Sequence, residues 1–549
     1  MQPKQNGIEI LKKICDTKRK KLQEKGMNLG YNLPKERAFP LITPTLLSDK
    51  TKPFIIAEIK RKSPTRGHIS TITEPKALAK TYIEQGANAI SVLCEEDYFQ
   101  GSLLDLYTIK EEFPKACILR KDFILHKDEV RVSYLFGADI VLLIVALFVD
   151  DMESFCEIYN ELLAYNLTPF IEIHTLHEWN LIKTLNLERA IIGINTRNLK
   201  TFQINKMEAM KLRTQIPKHI PVIFESGIQS NYDCFMAGSS GFQGILCGSF
   251  LVSMLDNNEN SSNLANKSNQ NVLQNLIKAF NIGSKKQVFS SLLQRFCIKN
   301  QDIQNFYKPL IKVCGISNLA FLQASLLHAD MLGFILTRKS VRYVDRLFLQ
   351  EATKCYENYA KHKQQDSMPL RVGVVTSDCL DVGREYLSQG LIDCLQLHNM
   401  PISFCLEKPT LTHNNTESNY GSYPIETFYD LLDEGILPFY PAINYKDLLD
   451  INEVLQTHFC LWDSSAGSGE NLDIAKIQAF VANHATLQGN LWLAGGISIE
   501  NLRTMLTLQP MLLDICSGFE SSRGEKSIPI MEEFFEILNS LTSTSKNLI

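Results

Sequence analysis

Sixteen short apolar segments recur along this 549-residue chain in two series of eight, and nearly all end in a polar or glycine-bearing tag. Amphipathic helical stretches separate most of them. Strands that are buried on both faces have continuous apolar sequences, and their alternation with helices predicts a parallel sheet. Because eight strand–helix units close a (β/α)8 barrel, we predict an α/β protein made of two (β/α)8 TIM barrels in tandem. The first series reads FIIAEIK, AISVL, ACILRKD, ADIVLLIV, TPFIEIH, AIIGINTRN, PVIFESG and GFQGILCGS, and the second LIKVCG, MLGFIL, RVGVV, LIDCLQLH, ILPFYPAI, HFCLWDSS, LWLAGG and MLLDICSG.

Composition narrows the classes of protein that this chain can belong to. Its hydrophobic content of 45% is enough to fill two large cores. The net charge is −4 and the pI is near 6.3, so electrostatics gives no reason to expect binding to nucleic acid or to an anionic membrane. The longest apolar stretch, 140–149, has about half of the roughly 20 residues that a membrane helix needs. We therefore expect a soluble, cytoplasmic protein.

The cysteines are numerous but scattered. None of the 14 belongs to a C-x-x-C pair, and no spacing with histidine is typical of a metal site. Such cysteines are expected to be reduced core residues of a cytosolic protein. The sequence therefore predicts no bound metal.

One Asn/Ser-rich tract bears on where the first barrel ends. Residues 256–270 have the composition of a loop, and 271–280 (NVLQNLIKAF) have the apolar spacing of a helix. Because the eighth strand needs a covering helix, we expect 256–270 to be an insertion inside the first barrel. The predicted organisation is a first barrel over 1–285 with an N-terminal helical extension over 1–50, a linker over 286–307 and a second barrel over 308–549.

A lysine-rich segment, 8–23, precedes the first strand and has the apolar spacing of a helix. One interpretation is an exposed first helix. We favour a helix that lies against the barrel mouth, because an additional element there can close over a substrate.

The polar tags of the first series bring charged residues to one end of the predicted barrel, where the active sites of such barrels lie. Residues i and i+2 of a strand point the same way, so Glu58 and Lys60 face the interior together. Grouped lysines and carboxylates are unfavourable unless they are paired or used. A structural ion-pair network could explain one such residue, but the whole set favours a catalytic site. Its other members are Ser63, Lys121, Glu172, Asn195, Arg197, Glu225 and Ser226.

Glycines after the last two strands of each series indicate a phosphorylated ligand. Such barrels often bind phosphate through these loops and the N-terminus of a short additional helix. The common nucleotide fingerprints, G-x-G-x-x-G and the P-loop, are absent from the sequence. We therefore predict phosphorylated small molecules as ligands. The residues concerned are Gly227, Gly248 and Ser249 in the first series and Gly495, Gly496, Ser517 and Gly518 in the second.

The second series carries a thiol and a carboxyl at its strand ends. Cys314 follows the first strand and Asp463 ends the sixth, so we expect them to face each other across the mouth. A thiol and a carboxyl whose pKa values are pushed apart can act as base and acid at neutral pH. We interpret Cys516 as a small core hydrophobe. His398 is interpreted as a structural histidine, the alternative being a ligand or proton carrier.

Six strings in the first half of the chain carry a family resemblance. FIIAEIKRKSPTRG, ILRKDF, FIEIH, GINTRNL, FESGI and GILCGSF occur in this order over about 54–250 and together resemble indole-3-glycerol phosphate synthase. The resemblance implies decarboxylation and ring closure of 1-(2-carboxyphenylamino)-1-deoxyribulose 5-phosphate, without cofactor or metal. It implies Lys121 as the general acid, with a pKa that neighbouring cations lower. Glu172 and Glu58 would be acid/base partners, and Lys60 would hold the anthranilate carboxylate or serve as a second acid.

The same resemblance implies binding roles for the remaining residues of this mouth. Asn195, which we count among the catalytic residues, would position the substrate together with Ser63, Arg197, Glu225 and Ser226, while Gly227, Gly248 and Ser249 would lie at the phosphate.

The second half resembles phosphoribosylanthranilate isomerase over about 310–520, through IKVCGI, GFIL with KSVRYV, RVGVV, LQLH, LWDSSAGSG, LAGGI and LLDICSGFE. The resemblance implies an Amadori rearrangement of an aminoaldose to an aminoketose. Cys314 would be the general base and Asp463 the general acid, while Arg342 would hold the anthranilate carboxylate. The residues implied near the phosphate and its loop are Gly467, Gly469, Gly495, Gly496, Ser517 and Gly518.

This half departs from the family pattern at three loops. Val341 replaces a proline, Asn399 replaces a glycine, and Leu472-Asp473-Ile474 replaces Phe-Asp-Trp. The first change removes a rigid residue from the loop. These departures affect loop geometry and substrate affinity, whereas the acid–base pair is intact.

The two implied reactions are consecutive steps of tryptophan biosynthesis, since the product of the second barrel is the substrate of the first. We therefore predict a bifunctional enzyme whose partners are small phosphorylated anthranilate-sugar compounds, with a monomer as the simplest assembly. One alternative is a pair of other phosphosugar barrels, such as histidine-pathway isomerases, which favour an aspartate at the end of strand one. Another is an active synthase whose second barrel is retained only as a binding or structural domain.

Overall fold

The chain forms two compact units, Met1–Lys285 and Lys286–Ile549. Each contains a closed barrel of eight parallel strands in sequential order. All sixteen predicted strands are present, so the predicted fold of two tandem (β/α)8 barrels is confirmed. The computed structural model describes residues 7–49, 51–63, 67–68, 74–198, 201–252, 271–301, 307–362, 368–398, 438–444, 459–464, 472–484 and 487–543.

The first barrel alternates strands with helices. Its strands are β1 (Phe54–Ile59), β2 (Ala89–Leu93), β3 (Ile118–Lys121), β4 (Ile140–Ile144), β5 (Thr168–Ile173), β6 (Ile191–Asn195), β7 (Val222–Glu225) and β8 (Gly244–Cys247). Its helices are α1 (Gly7–Lys25), α2 (Pro75–Glu84), α3 (Leu103–Glu112), α4 (Asp128–Leu135), α5 (Met152–Ala164), α6 (Leu176–Ile182), α7 (Lys206–Thr214), α8 (Asn231–Ser239) and α9 (Val272–Lys286).

Alternation along β1 explains how this barrel separates its core from its mouth. Phe54, Ile56 and Glu58 are successive residues of one strand face. Phe54 and Ile56 belong to the buried apolar cluster that fills the barrel, and Glu58 is the next position toward the strand C-terminus. β3 and β5 repeat this arrangement, with Leu119 before Lys121 and Phe170 before Glu172. The lower layers are therefore hydrophobic, and charge begins at the strand ends.

The eighth strand of the first barrel has the covering helix that the sequence predicts. Helix α9 extends from Val272 to Lys286 and buries Leu273, Leu276 and Phe280. It approaches α8 closely, because a Cβ atom on Gly283 would lie only 2.1 Å from a backbone oxygen of that helix. The predicted insertion over 256–270 lies outside the described residues.

The second barrel repeats the plan. Its strands are β9 (Leu310–Cys314), β10 (Met331–Ile335), β11 (Leu370–Val375), β12 (Cys394–His398), β13 (Phe439–Asn444), β14 (Leu461–Asp463), β15 (Trp492–Ala494) and β16 (Leu512–Ile515). The helices of this unit are α10 (Val288–Lys299), α11 (Leu319–Ser325), α12 (Arg346–Ala360), α13 (Leu380–Ser388), α14 (Ile474–Ala482), α15 (Leu502–Leu506) and α16 (Ile528–Ser543).

The predicted linker over 286–307 contains a packed helix instead. Helix α10 buries Phe289, Leu292, Leu293 and Phe296, and the Phe289 ring stacks on Phe459 with 4.5 Å between centroids. Apolar residues at helical spacing bury one face of this segment within the second unit. The predicted linker range therefore includes helix α10.

No helix in the described parts of the chain is both long enough and apolar enough to cross a membrane.

Candidate active sites

A cavity opens at the C-terminal ends of the first barrel's strands. Most of the residues predicted for this site line it, together with apolar residues from α1 and the strand-end loops. The structure thus brings together predicted residues from the ends of six strands or the loops that follow them. The predicted residues at its wall are Glu58, Lys60, Lys121, Glu172, Asn195, Arg197, Ser226, Gly227, Gly248 and Ser249.

Lys121 is the centre of a buried charge cluster in this cavity. Its ammonium hydrogen-bonds the carboxylate of Glu225 and lies 3.5 Å from Glu172 Oε2. Glu58, which is 3% exposed, pairs with Lys60 at 2.5 Å. Gly193 makes room for the cluster, because a Cβ atom there would lie 2.0 Å from Glu225 Oε1. The Glu225 carboxylate thus orients Lys121, and its predicted role in positioning the substrate stays a prediction.

The charges around Lys121 contradict one prediction, which concerns the pKa of this lysine. Burial lowers the pKa of Lys121, but the carboxylates of Glu225, Glu172 and Glu58 outweigh it, so the net shift is upward. The predicted lowering of its pKa by cations is therefore wrong. Burial raises the pKa of Glu172, but the Lys121 charge and the nearby His174 ring produce a net lowering. Burial raises the pKa of Glu225. Lys121 is thus a fully protonated donor against ionised Glu172.

His174 is a member of the site that the sequence reasoning missed. Its ring lies between two carboxylates, with Nε2 3.4 Å from Glu172 and Nδ1 3.2 Å from Glu178. Burial lowers its pKa, but these two carboxylates raise it to about 10 overall. A positively charged imidazolium therefore lies beside Glu172 and stabilises its ionised carboxylate. The signal was available, since His174 lies two residues after Glu172 in the string FIEIH.

Helix α1 contributes an apolar wall to the cavity, as the sequence predicts. Ile10, Leu11 and Ile14 line the cavity. Farther along the helix, buried Lys18 forms ion pairs of 2.7 Å with Asp122 and 3.0 Å with Glu129. Because breaking a buried ion pair is strongly unfavourable, Lys18 anchors α1 on the barrel.

The loops after β7 and β8 have the backbone geometry of an anion site. Ser226 and Gly227 both have positive φ angles, +64° and +75°. Successive residues in such turn conformations can direct their N–H groups toward an anion. Gly248 fits tightly above β1, because a Cβ there would lie 2.7 Å from Glu58 Oε1, and Ser249 begins a helical turn. Ser63 pairs through its backbone with Gly67, and its side chain lies outside the described part.

In the second barrel, charged side chains lie one side-chain layer farther below the mouth than they do in the first barrel. Lys312 is fully buried on β9, and its ammonium lies 2.6 Å from Asp514, 2.5 Å from Gln396 and 3.4 Å from Cys314 Sγ. Tyr440 donates a 2.8 Å hydrogen bond to the same Gln396 oxygen. Cys314 therefore lies directly above a buried polar network. The sequence reasoning missed Lys312, although it precedes Cys314 by two residues.

Asp463 lies close to His398 at the strand ends. His398 Nδ1 is 3.9 Å from Asp463 Oδ2, and His398 Nε2 is 2.5 Å from Gln396 Nε2. Burial and the Lys312 charge lower the pKa of His398 to about 4. The imidazole is consequently neutral at pH 7. His398, Gln396 and Lys312 thus link the Asp463 side of the mouth to Cys314.

Arg342 is held by a glutamate that sequence reasoning missed. Its guanidinium makes a bidentate pair with Glu520, at 2.5 and 2.8 Å, and Lys526 lies 3.1 Å from the same carboxylate. Burial raises the pKa of Glu520, but Arg342 and the Gly524 N–H lower it to about 2. Arg342 and Glu520 are 178 residues apart, so strand alternation could not reveal this contact.

Cys516 is not the inert core residue that the sequence reasoning assumed. It is partly exposed and hydrogen-bonded to Cys314. That hydrogen bond and burial raise the pKa of Cys314 well above the ordinary thiol value. Cys314 is therefore the less acidic thiol of the two, and its predicted role as general base stays a prediction.

The glycines of the second mouth allow close approaches between loops. Gly495 and Gly496 have positive φ angles, and a Cβ on Gly495 would lie 1.9 Å from Ser464 Oγ. Gly518 lies against a backbone oxygen, which a Cβ would approach to 2.0 Å. Ser517 begins a short 3-10 turn after β16. The predicted Gly467 and Gly469 lie outside the described residues, as does Asn399.

Among the residues that the structure describes, no three His, Cys, Asp or Glu side chains are grouped as metal ligands.

The fold and the two sites define a class of protein: tandem barrels whose polar mouths can bind phosphate. Comparisons with known proteins identify the family within this class. The family model for indole-3-glycerol phosphate synthase matches residues 11–264, and the model for N-(5'-phosphoribosyl)anthranilate isomerase matches 429–537. An indole-3-glycerol phosphate synthase from Bacillus thuringiensis is 36% identical over 246 residues, 44% of this chain and 92% of its own length. The chain therefore belongs to the indole-3-glycerol phosphate synthase family, and part of its second half matches the isomerase model.

Other similar proteins cover different shares of the chain. A "Multifunctional tryptophan biosynthesis protein" from Schizosaccharomyces pombe is 26% identical over 90% of this chain, and the match spans 60% of that relative's length. A solved phosphoribosylanthranilate isomerase from Thermus thermophilus is 24% identical, covers 42% of this chain and 99% of its own, and has a TM-score of 0.30. The predicted pair of family resemblances, in this order, is confirmed by the two family models.

Proposed function

We propose that this chain catalyses two consecutive steps of tryptophan biosynthesis. The second barrel isomerises N-(5-phosphoribosyl)anthranilate to 1-(2-carboxyphenylamino)-1-deoxyribulose 5-phosphate, and the first decarboxylates and cyclises that product to indole-3-glycerol phosphate. The observation that carries this proposal is the buried cluster of Lys121, Glu172 and Glu225 at the mouth of a barrel of the synthase family. Its partners are thus phosphorylated anthranilate-sugar compounds.

In the first barrel, Lys121 is the acid that protonates the substrate carbonyl during ring closure. Its orientation is supported by Glu225, while Glu172 carries the later proton transfers with His174 behind it. Glu58 and Lys60 face the same cavity, where Lys60 suits the anthranilate carboxylate. Asn195 and Arg197 line the wall beside them. A preorganised donor of this kind contributes roughly 10²–10⁴-fold to rate.

The first barrel's phosphate would lie against the backbone of Ser226, Gly227, Gly248 and Ser249, whose geometry favours an anion.

In the second barrel, Asp463 is the acid that protonates the ring oxygen, and Cys314 receives the proton from the sugar carbon. The free edge of Arg342 holds the anthranilate carboxylate, since Glu520 occupies only its Nε and Nη2 donors. Gly495, Gly496, Ser517 and Gly518, with the predicted Gly467 and Gly469, complete the phosphate site. The cytoplasm suits a chain whose cysteines are free wherever the structure describes them.

A direct assay of the purified chain tests this proposal. Each substrate is supplied separately, and the aminoketose and indole-3-glycerol phosphate are quantified by chromatography. We expect both half-reactions. Consumption of the aminoketose without turnover of phosphoribosylanthranilate would instead mean an active synthase whose second barrel only binds or supports, and inactivity toward both would overturn the proposal.

A further inference from the structure

Two cysteines of the second barrel lie side by side at its mouth. Strands β9 and β16 are paired in parallel with Val313 opposite Ile515, and Cys314 and Cys516 are the residues that follow this last pair. Two positions earlier, Lys312 and Asp514 meet inside the barrel at 2.6 Å. Because side chains alternate along a strand, Cys314 at the end of β9 lies one layer above that ion pair, while Cys516 follows the end of β16 and begins the turn after it.

The two thiols have different surroundings. Cys516 Sγ lies 3.7 Å from the buried ammonium of Lys526, which also donates to the Cys516 carbonyl at 2.7 Å. The hydrogen bond between the thiols raises the pKa of Cys314 and lowers that of Cys516, to about 7, where Lys526 and Arg342 add to the lowering and burial opposes it. The negative charge is therefore more stable on Cys516.

The other charged groups around the two thiols also favour the negative charge on Cys516. Lys312 approaches Cys314 at 3.4 Å but is already paired with Asp514, whereas Glu520 accepts from Arg342 and Lys526 on the Cys516 side. Gly315 permits the crowding, because its Cβ would lie 2.9 Å from both Cys516 Sγ and Arg342 Cδ.

We propose that Cys516 is a catalytic partner of Cys314, and that the two thiols form one base for the isomerisation. The proton of the Cys314 thiol moves to the Cys516 thiolate, and Cys314 as thiolate then takes the proton from the sugar carbon. The thiol pair then donates one proton to the neighbouring carbon of the enol, and the enol hydroxyl gives its proton to Asp463, which had protonated the ring oxygen. The thiol pair and Asp463 thus return to their starting states, and protons and charge balance over a turnover. This inference rests on the proposed isomerase activity.

The kinetic test uses the full chain with Cys516→Ser, with Cys355→Ser on α12 as a matched control outside the mouth. An ordinary thiol has a pKa near about 8.5, so loss of Cys516 raises the pH at which the base ionises. We expect kcat/KM of the isomerase to fall roughly tenfold at pH 7 and to recover near pH 9. Cys355→Ser leaves the pH profile unchanged. A uniform loss at every pH, or an unshifted profile, would overturn the proposal.

A chemical test separates this inference from the function on which it rests. Iodoacetamide alkylation of the intact chain is followed at each cysteine by peptide mass spectrometry between pH 5.5 and 9.5. Cys516 is expected to react with a midpoint near pH 7, and Cys314→Ala shifts that midpoint upward. A Cys516 midpoint near that of an ordinary thiol contradicts the proposal even if the isomerase is active. If the wild-type chain lacks isomerase activity, the proposed function fails and the two-thiol base fails with it, whatever the alkylation shows.

Discussion

The two barrels place charge at different depths. Two positions before the mouth residue Glu58, the first barrel has Ile56 in an apolar layer, whereas two positions before Cys314 the second has Lys312 paired with Asp514. A fully buried ion pair is maintained only when its geometry and hydrogen bonds are good. Inside its barrel, the first unit thus places charge at the strand ends, where substrate arrives, while the second uses a buried network below the mouth to support a weakly acidic thiol.

The shared barrel architecture therefore sets where the catalytic side chains lie but not which residue types they are. Strand ends of both barrels converge because the sheet is closed and parallel. In the first mouth, carboxylates hold a protonated lysine, and in the second, cations stand beside thiols. A change in either mouth is therefore expected to affect one half-reaction alone.

The largest expected effect follows from removing the central cation of the first mouth. Lys121→Met deletes the acid and leaves Glu225 and Glu172 without their common partner, so synthase turnover falls by about a thousandfold or more. The isomerase rate of the same preparation stays at the wild-type value. Lys127→Met, at an exposed lysine of the same barrel, is the control and retains both activities. Loss of both activities in Lys121→Met would break the separation of the two mouths.

Asp463→Asn tests the opposite half of the comparison. Asparagine keeps the size of the side chain but cannot donate a carboxyl proton, so we expect isomerase kcat to fall about a hundredfold. The synthase rate, measured with the aminoketose as substrate, remains unchanged and serves as the internal control. An isomerase rate within twofold of wild type would remove Asp463 from the catalytic roles.

Glu520→Gln sharpens the account of Arg342. Glutamine keeps an acceptor for the Gly524 N–H but loses the charge-assisted clamp, so the guanidinium is less well oriented. We expect the isomerase KM to rise about tenfold, with a smaller change in kcat. Glu525→Gln, at an exposed position of the same hairpin, gives the baseline. A fall in kcat at constant KM would contradict a positioning role.

The smallest expected effect concerns pH and His174. Its pKa is raised to about 10 in the folded barrel, from about 6.5 when unfolded, so its contribution to stability is complete below the unfolded value and is lost as pH rises through 10. His174→Gln is therefore more destabilised at pH 6 than at pH 10.5, as measured by urea denaturation. His126→Gln, at an exposed histidine of the same barrel, is the control. Equal destabilisation at both pH values would mean that His174 is not charged in the fold.

Much of this structure could be predicted from sequence because strand alternation and barrel closure are local and periodic. The runs ending in Lys121, Glu172 and Asp463 predicted both mouths. The contacts that tune these groups could not be predicted in the same way. Glu225 reaches Lys121 across the barrel, and Glu520 reaches Arg342 from the far end of the second unit. Such pairs depend on register and on loop conformation, which no periodic pattern specifies.

The central claim, that each mouth works alone, is tested most directly by mixing two inactivated chains. Lys121→Met and Cys314→Ala are purified separately, and each is given N-(5-phosphoribosyl)anthranilate. We expect the first chain to accumulate the aminoketose and the second to leave the substrate unchanged, while the equimolar mixture forms indole-3-glycerol phosphate. A mixture that forms no indole-3-glycerol phosphate, although each chain retains its predicted half-reaction, would contradict independent active sites.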